Sequence, residues 1–87
     1  MKEGISPDKY FVLYSGGLIK DIKELAFALD YMSDEEFSFH VNDEKNDFSK
    51  WIKDVFGDEE LAKKLMRTTD KKETQLIILK HLIEQRW

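Results

Sequence analysis

The sequence contains no cysteine among its 87 residues. This absence excludes a disulfide framework, a zinc site built on thiolates and a thiol nucleophile, and it suits a reducing compartment. Long apolar runs are also missing, since FVLY and LIIL are far too short to span a bilayer. The N-terminal segment MKEGISPDK lacks the apolar core of a signal peptide. We therefore expect a cytoplasmic protein that has no membrane partner.

A basic excess is absent as well. The chain has 18 acidic and 14 basic residues, which gives a net charge of −4. Proteins that bind nucleic acid usually carry the opposite balance, because contacts with phosphates supply most of their affinity. The composition therefore argues against nucleic acid as a partner. Charged residues of both signs make up 37% of the chain and aromatic residues 13%, which favours a solvated exterior around a dense core.

The N-terminal part of the chain has the pattern of a short β-hairpin. An apolar run, YFVLY, is followed by Ser15-Gly16-Gly17 and then by Leu18-Ile19, and a Gly-rich turn between two apolar runs is typical of paired antiparallel strands. Residues 1–8 show no periodicity, which predicts a flexible arm. The remaining residues, 9–87, are enough for one domain only.

Helix-start signals recur along the rest of the chain. Each is a Ser, Asp or Asn whose side chain is suited to accept a hydrogen bond from a backbone amide of the first turn. These signals lie at Asp21, Ser33, Asn46 or Asp47, Asp58 and Asp70. Gly57 is the natural end of the third helix, because glycine tolerates a left-handed backbone. The sequence predicts a mainly α fold: a compact bundle of about five short helices with a small N-terminal β-hairpin, the last helix covering 70–87.

One stretch has a specific pattern of spaced residues. In order, they are Phe37, His40-Val41-Asn42, Asn46-Asp47-Phe48, Trp51-Ile52, Val55, Gly57-Asp58 and Leu61-Ala62. This pattern resembles that of an uncharacterised prokaryotic domain family. The resemblance covers roughly residues 10–66 and leaves the C-terminal helix outside. It implies a domain boundary and no particular activity.

A candidate polar site lies within this stretch, at His40, Asn42, Asn46 and Asp47. Histidine beside carboxylate and amide oxygens is typical of metal or acid–base chemistry. The favoured interpretation is structural, because His40 falls at the end of a predicted helix, where the ring is suited to donate to terminal carbonyl groups. The metal or acid–base site around His40 stays open as an alternative.

The acidic loop after His40 does not fit a calcium-binding EF-hand. Counted from Asp43, the third, sixth and twelfth positions are Lys45, Phe48 and Asp54, whereas that loop requires an oxygen ligand, Gly and Glu there. The chain also has no nucleophile elbow, kinase motif or phosphate-binding loop. We therefore predict no enzyme activity, no catalytic residue, no bound metal and no cofactor.

A helix-turn-helix is a second alternative, because Gly57-Asp58 joins two short amphipathic helices. Glu59 and Glu60 open the second helix, however, where carboxylates would repel DNA phosphates. A basic cluster follows, which a solvated helix face explains equally well. It comprises Lys63, Lys64, Arg67, Lys71 and Lys72.

The strongest functional signal is an excess of apolar residues. On the C-terminal helix, five of them spread over an arc of about 160°, wider than one core-facing stripe needs: Leu76, Ile78, Leu79, Leu82 and Ile83. Ile77 falls on the opposite side, together with Lys80, His81 and Glu84. Phe27 and Tyr31 point away from the apolar face of the first helix, as Phe39 does on the second.

A surplus of this kind predicts a non-catalytic protein-interaction or accessory module, because large exposed apolar patches tend to bind other proteins. The partner would be another protein or a second copy of the chain, the latter forming a homodimer through the C-terminal helix. The candidate interaction surface comprises Phe27, Tyr31, Phe39, Ile77, Ile78, Leu79 and Leu82.

Overall fold

The computed structural model of the chain describes residues 4–85. The first three residues of the predicted arm and the last two of the predicted C-terminal helix lie outside this range. Within it, the predicted architecture is confirmed: an N-terminal hairpin precedes five α-helices. The helices are α1 (Ile22–Tyr31), α2 (Asp34–His40), α3 (Asp47–Trp51), α4 (Glu59–Leu65) and α5 (Lys71–Glu84).

Each helix begins at a side chain that caps it, as the start signals predict. The capping oxygen accepts a hydrogen bond from the backbone N–H three residues later, at distances of 2.7–3.0 Å. The caps are Asp21, Ser33, Asn46, Asp58 and Asp70. Local chemistry therefore fixes all five starts.

The third helix is longer than its α-helical part, because a π-helical segment, Ile52–Phe56, continues it. Gly57 ends this segment with φ of 69°, in the left-handed region that glycine adopts at little cost. The turn places the start of α4 next to α3, so that the two helices pack together.

Two short antiparallel ribbons complete the structure. In the predicted one, β1 (Phe11–Val12) pairs with β2 (Leu18–Ile19), and Phe11 faces Ile19. The other was not predicted: β3 (Val41–Asn42) pairs with β4 (Lys45–Asn46) between α2 and α3. Strands of two residues are too short for an alternating pattern to appear in the sequence. The expected loop after His40 is therefore a tight ribbon that returns the chain to the end of α2.

Helices α1 and α5 lie side by side in opposite directions. The Lys71 side chain, at the start of α5, donates to the carbonyl oxygen of Met32 just beyond the end of α1. One turn later, Gln75 Nε2 donates to the carbonyl oxygen of Ala26, at 3.0 Å. Between the two helices and the rest of the bundle lies a core whose largest fully buried apolar side chains are Ile19, Ile22, Leu25, Leu29, Phe48, Ile52, Leu61, Leu65 and Ile78.

The N-terminal segment is attached to this core. A single 3₁₀ turn covers Pro7–Lys9, and the indole Nε1 of Trp51 donates to the carbonyl oxygen of Lys9, at 2.8 Å. Ile5 packs against the core. The division into an arm over 1–8 and a domain over 9–87 stays a prediction. Among the described residues, no helix has the length and apolar character needed to cross a membrane.

Candidate functional site

An exposed apolar surface spans two neighbouring helices. Phe27 and Tyr31 lie one turn apart on α1 and are 65% and 80% exposed. On α5, three more side chains at spacings of three and four residues share one side of the helix. They are Leu76, Leu79 and Ile83, with exposed fractions of 51%, 42% and 76%. We call these five residues the α1–α5 face.

An open groove connects the two halves of the α1–α5 face. Phe27 and Leu79 both line it, with Ala26 at its base and Lys23 and Asp30 among its other lining residues. The groove has a volume of about 270 Å³. Aromatic and aliphatic side chains that border one groove are suited to receive apolar side chains from another polypeptide.

The structure removes three residues of the predicted surface from it. Ile78 and Leu82 are buried in the core, at 0% and 7% exposure, and Ile77 is half-buried against it. The buried stripe of α5 also includes Thr74 and His81, two polar residues that interrupt the apolar pattern. Their burial turns the helix so that Leu76, Leu79 and Ile83 face outward.

Phe39 is exposed but lies at a different place. Its ring stacks on that of Tyr14, with the centroids 4.2 Å apart, and the Lys45 ammonium lies 4.9 Å from its centroid. The contact joins α2 to the loop of the first hairpin and to β4. Phe39 therefore belongs to a cluster of its own and not to the α1–α5 face.

His40 is buried and lies between two carboxylates. Its Nε2 is 3.1 Å from Oε2 of Glu36, one turn earlier on α2, and its Nδ1 is 3.0 Å from Oδ2 of Asp47 at the start of α3. The rings of Phe11 and Phe48 pack against the imidazole. The backbone N–H of Tyr14 also donates to Nε2, at 3.1 Å. The expected partners of the ring, terminal carbonyl groups of α2, are thus replaced by two carboxylates and one backbone amide.

Glu36 extends this network to the first hairpin. Its carboxylate accepts hydrogen bonds from the backbone N–H groups of Tyr14, at 2.8 Å, and Ser15, at 3.0 Å. Burial by itself would raise the pKa of Glu36, but the hydrogen bonds from the Ser15 side chain and these two amides, together with His40, outweigh it and hold the pKa below its usual range. Glu36 was not predicted from the sequence, although its position four residues before His40 is a recognisable signal.

Asp47 completes the network on the side of the second ribbon. It accepts from the Lys45 ammonium, at 3.0 Å, as well as facing His40. Burial would raise the pKa of Asp47, but hydrogen bonds to His40 and Lys45 and the charge of Lys45 lower it. The network therefore contains two carboxylates held in their charged form around one imidazole.

The two asparagines of the candidate polar site have separate roles. Asn46 is buried; its side chain caps α3 and its Nδ2 donates to the carbonyl oxygen of Leu65, at 3.1 Å. Asn42 is exposed and its Oδ1 accepts from the backbone N–H of Glu44, at 2.9 Å, which shapes the turn between β3 and β4. Both amides therefore form contacts with the backbone.

The His40 network has the contacts of a structural junction. Its polar atoms bind α2, α3, β4 and the first hairpin, and its ring is enclosed by aromatic side chains. Among residues 4–85, no group of three or more His, Asp or Glu side chains is arranged to hold a metal ion.

A second histidine–carboxylate pair was not predicted. His81 was expected on the polar side of the last helix, but it is buried, and its Nε2 lies 2.7 Å from Oδ2 of Asp58. Asp58 also caps α4, so the pair fixes α5 against the start of α4. The signal in the sequence is weak, because 23 residues separate the partners.

The region predicted as a possible helix-turn-helix carries mixed charge. Glu59 and Glu60 lie in the first turn of α4, as expected, and Lys64 lies 3.4 Å from Glu60 and 3.8 Å from Glu84. Lys71, also part of the basic cluster, lies 3.2 Å from Asp34. Two of the five basic side chains are therefore paired with carboxylates.

Comparisons of the chain with protein-family models, curated proteins and solved structures return no match. The function is therefore inferred from the geometry of the chain itself.

Proposed function

We propose that the protein is a non-catalytic interaction module that binds another polypeptide through the α1–α5 face. The observation that carries this proposal is the pair of aligned apolar stripes, one on each of two adjacent helices, that remain exposed next to a shared groove. Each such side chain gains about 1–2 kcal/mol when a partner covers it. A chain that stays monomeric obtains no such free energy from these exposed side chains.

The shape of the face supports a helical or similarly ridged partner. Leu76, Leu79 and Ile83 follow one side of α5 over two turns, and Phe27 and Tyr31 do the same over one turn of α1. Ridges of this spacing fit the grooves of a facing helix. Phe27 and Leu79 border the groove and are suited to anchor the contact, since aromatic and large aliphatic side chains near the centre of an interface contribute most of its energy.

The polar network around His40 supports a scaffold role for the remainder of the domain. Its carboxylates and imidazole bind one another and the backbone, and they join the hairpin to α2 and α3. A junction of this kind holds the hairpin, α2 and α3 in a fixed arrangement, and a rigid domain loses less entropy when it binds.

Site-specific photocrosslinking in the cells that produce the protein tests this proposal. A photoreactive amino acid at position 83, in the α1–α5 face, is expected to crosslink to a defined polypeptide, and Leu79→Glu in the same chain should abolish the product. The matched control places the same group at Met66, which is exposed but lies in grooves formed with β4 and α3. Equal products from both positions, or none from position 83, would contradict the proposal.

A further inference from the structure

The α1–α5 face carries charges of opposite sign at its two ends. On α1, Lys23 and Asp30 lie on either side of Phe27 and line the same groove. They are seven residues apart, which is about 10 Å along the helix. On α5, Glu73 and Lys80 are also seven residues apart, and both are exposed.

The antiparallel arrangement of the two helices brings like charges to the same end. Gln75 Nε2 lies 3.3 Å from Oδ1 of Asp30, so Glu73, half a turn earlier on α5, lies toward the Asp30 end. Helix α5 starts beside the end of α1 and runs back along it, so Lys80, seven residues after Glu73, lies toward the Lys23 end. One end thus carries two carboxylates and the other two ammonium groups, while an exposed lysine at position 72 adds one positive charge beside Glu73.

These four charges have no oppositely charged partner in the part of the chain that the structure describes. Across residues 4–85, Lys23, Asp30, Glu73 and Lys80 form no ion pair. The polar contacts of the two carboxylates with other side chains are with neutral groups, on Gln75 and Thr68 respectively. Both signs are therefore available to a partner.

We propose that the occupant of the α1–α5 face is a second copy of the chain, packed in the opposite direction about a two-fold axis. This inference rests on the proposed function and names its partner. The two-fold axis lies in the plane of the interface and is perpendicular to the helices. As a result, α1 of one copy faces α1 of the other copy, and α5 faces α5 in the same way. Its rotation brings Lys23 of one copy opposite Asp30 of the other, and Lys80 opposite Glu73.

The pattern of charge and apolar residues favours this pairing over others. Because the face has an acidic end and a basic end, it is complementary to itself only when one copy is reversed. A parallel pair, with its axis along the helices, would place α1 against α5, and Lys23 would then meet Lys80 while Asp30 met Glu73. Like charges across an interface suppress association. In the reversed pair, Phe27 and Leu76 lie near the axis, between the two charged ends.

Charge reversal combined with mixing tests the two-fold arrangement. In a dimer of Lys23→Glu, the new carboxylate at position 23 of each copy faces Asp30 of the other copy. In a dimer of Asp30→Lys, the new ammonium group at position 30 of each copy faces Lys23 of the other copy. Each variant is expected to dimerise about tenfold more weakly than the wild type, from the loss of two exposed ion pairs and the gain of two repulsive contacts. Both positions are exposed, so the fold is retained, which circular dichroism checks.

The equimolar mixture gives the decisive result. In a heterodimer of the two variants, the new carboxylate at position 23 faces the new ammonium group at position 30, and the unchanged Asp30 and Lys23 face each other. The mixture should therefore dimerise as strongly as the wild type. The measurement is sedimentation velocity at low salt with one variant carrying a fluorescent label. A mixture no stronger than the separate variants, or variants that dimerise as the wild type does, would overturn the two-fold arrangement.

The result that would contradict the proposed function differs from the result that would contradict the two-fold dimer. If the wild-type chain is a monomer at submillimolar concentration but still crosslinks from position 83 to a different polypeptide, the second copy is excluded as the occupant and the interaction module stands. If position 83 yields no crosslink at all, both proposals fall.

Discussion

Nδ1 of His40 lies 3.0 Å from Oδ2 of Asp47, so the last residue of α2 is joined to the first residue of α3 across the β3–β4 ribbon. The other ring nitrogen faces Glu36, whose carboxylate binds two amides of the first hairpin. One buried imidazole therefore links three parts of the chain, and the stability of the fold should depend on it.

Replacing His40 with alanine should destabilise the fold strongly. The change removes the contacts of the ring with Glu36, Asp47 and the backbone N–H of Tyr14, and it leaves a cavity among Phe11, Phe39 and Phe48. The expected loss is about 2–4 kcal/mol in the free energy of unfolding, from the cavity and the unpaired buried carboxylate. Urea denaturation at pH 7, followed by circular dichroism, measures it.

The matched control is Phe39→Ala at the neighbouring, half-exposed position, which should cost less than His40→Ala. A His40→Ala variant as stable as the wild type would contradict the structural role. So would a melting temperature that Zn²⁺ raises in the wild type and leaves unchanged in His40→Ala, since that result would indicate a metal site.

Acid should destabilise the protein through Glu36 and Asp47. Both carboxyl groups have a pKa lower in the folded chain than in the unfolded chain, so the unfolded chain binds protons more readily at acidic pH. The stabilisation is complete above the ordinary value, 4.5 for Glu36, and is lost as the pH falls through the lower folded values. Urea denaturation across this range should give a free energy of unfolding that decreases as the pH falls.

The variant Glu36→Gln isolates the contribution of that carboxylate. Glutamine keeps one acceptor oxygen, but its amide nitrogen meets a backbone N–H, so we expect a loss of about 1–3 kcal/mol at pH 7. The acid dependence should also become shallower. Glu35→Gln, on the exposed side of the same turn, should change neither quantity. If the free energy of unfolding of Glu36→Gln depends on acid as that of the wild type does, the Glu36 carboxylate is not the source of the acid dependence.

The two asparagines of the second ribbon should respond very differently to alanine. Asn46→Ala removes the cap of α3 and the hydrogen bond to the carbonyl of Leu65, both buried, and should cost about 2 kcal/mol. Asn42→Ala removes a contact within an exposed turn and should cost about 0.5 kcal/mol. Thermal unfolding of both variants measures the difference, and equal losses would contradict the assigned contacts.

Much of the fold was predictable because its signals are local. The caps at Asp21, Ser33 and Asp70 each depend on residues within one turn, and Gly57 marks a helix end by its own conformational freedom. The β3–β4 ribbon was missed because two-residue strands carry no periodicity. A helix-start signal at Asn46 was visible, but its second contact, with the carbonyl of residue 65, is 19 residues away.

The candidate surface was predicted only in part because burial of α5 depends on distant contacts. His81 has the pattern of a surface residue until Asp58 provides a carboxylate for its ring. Its burial, with that of Thr74, rotates the helix, so Ile78 enters the core and Ile83 faces outward. The exposed residues of α1 and Leu79 agree with the apolar excess, but their proximity across the two helices required the structure.

The central claim is that the α1–α5 face binds a second copy of the chain. Its most direct test is the mass of the protein in solution. Sedimentation equilibrium from micromolar to submillimolar concentration should give the mass of two 10.3 kDa chains for the wild type and for Met66→Glu. Leu79→Glu, which places a carboxylate in the middle of the α1–α5 face, should give the mass of one. A wild-type chain that sediments as a monomer at every concentration would contradict the two-fold dimer and exclude a second copy as the occupant of the α1–α5 face.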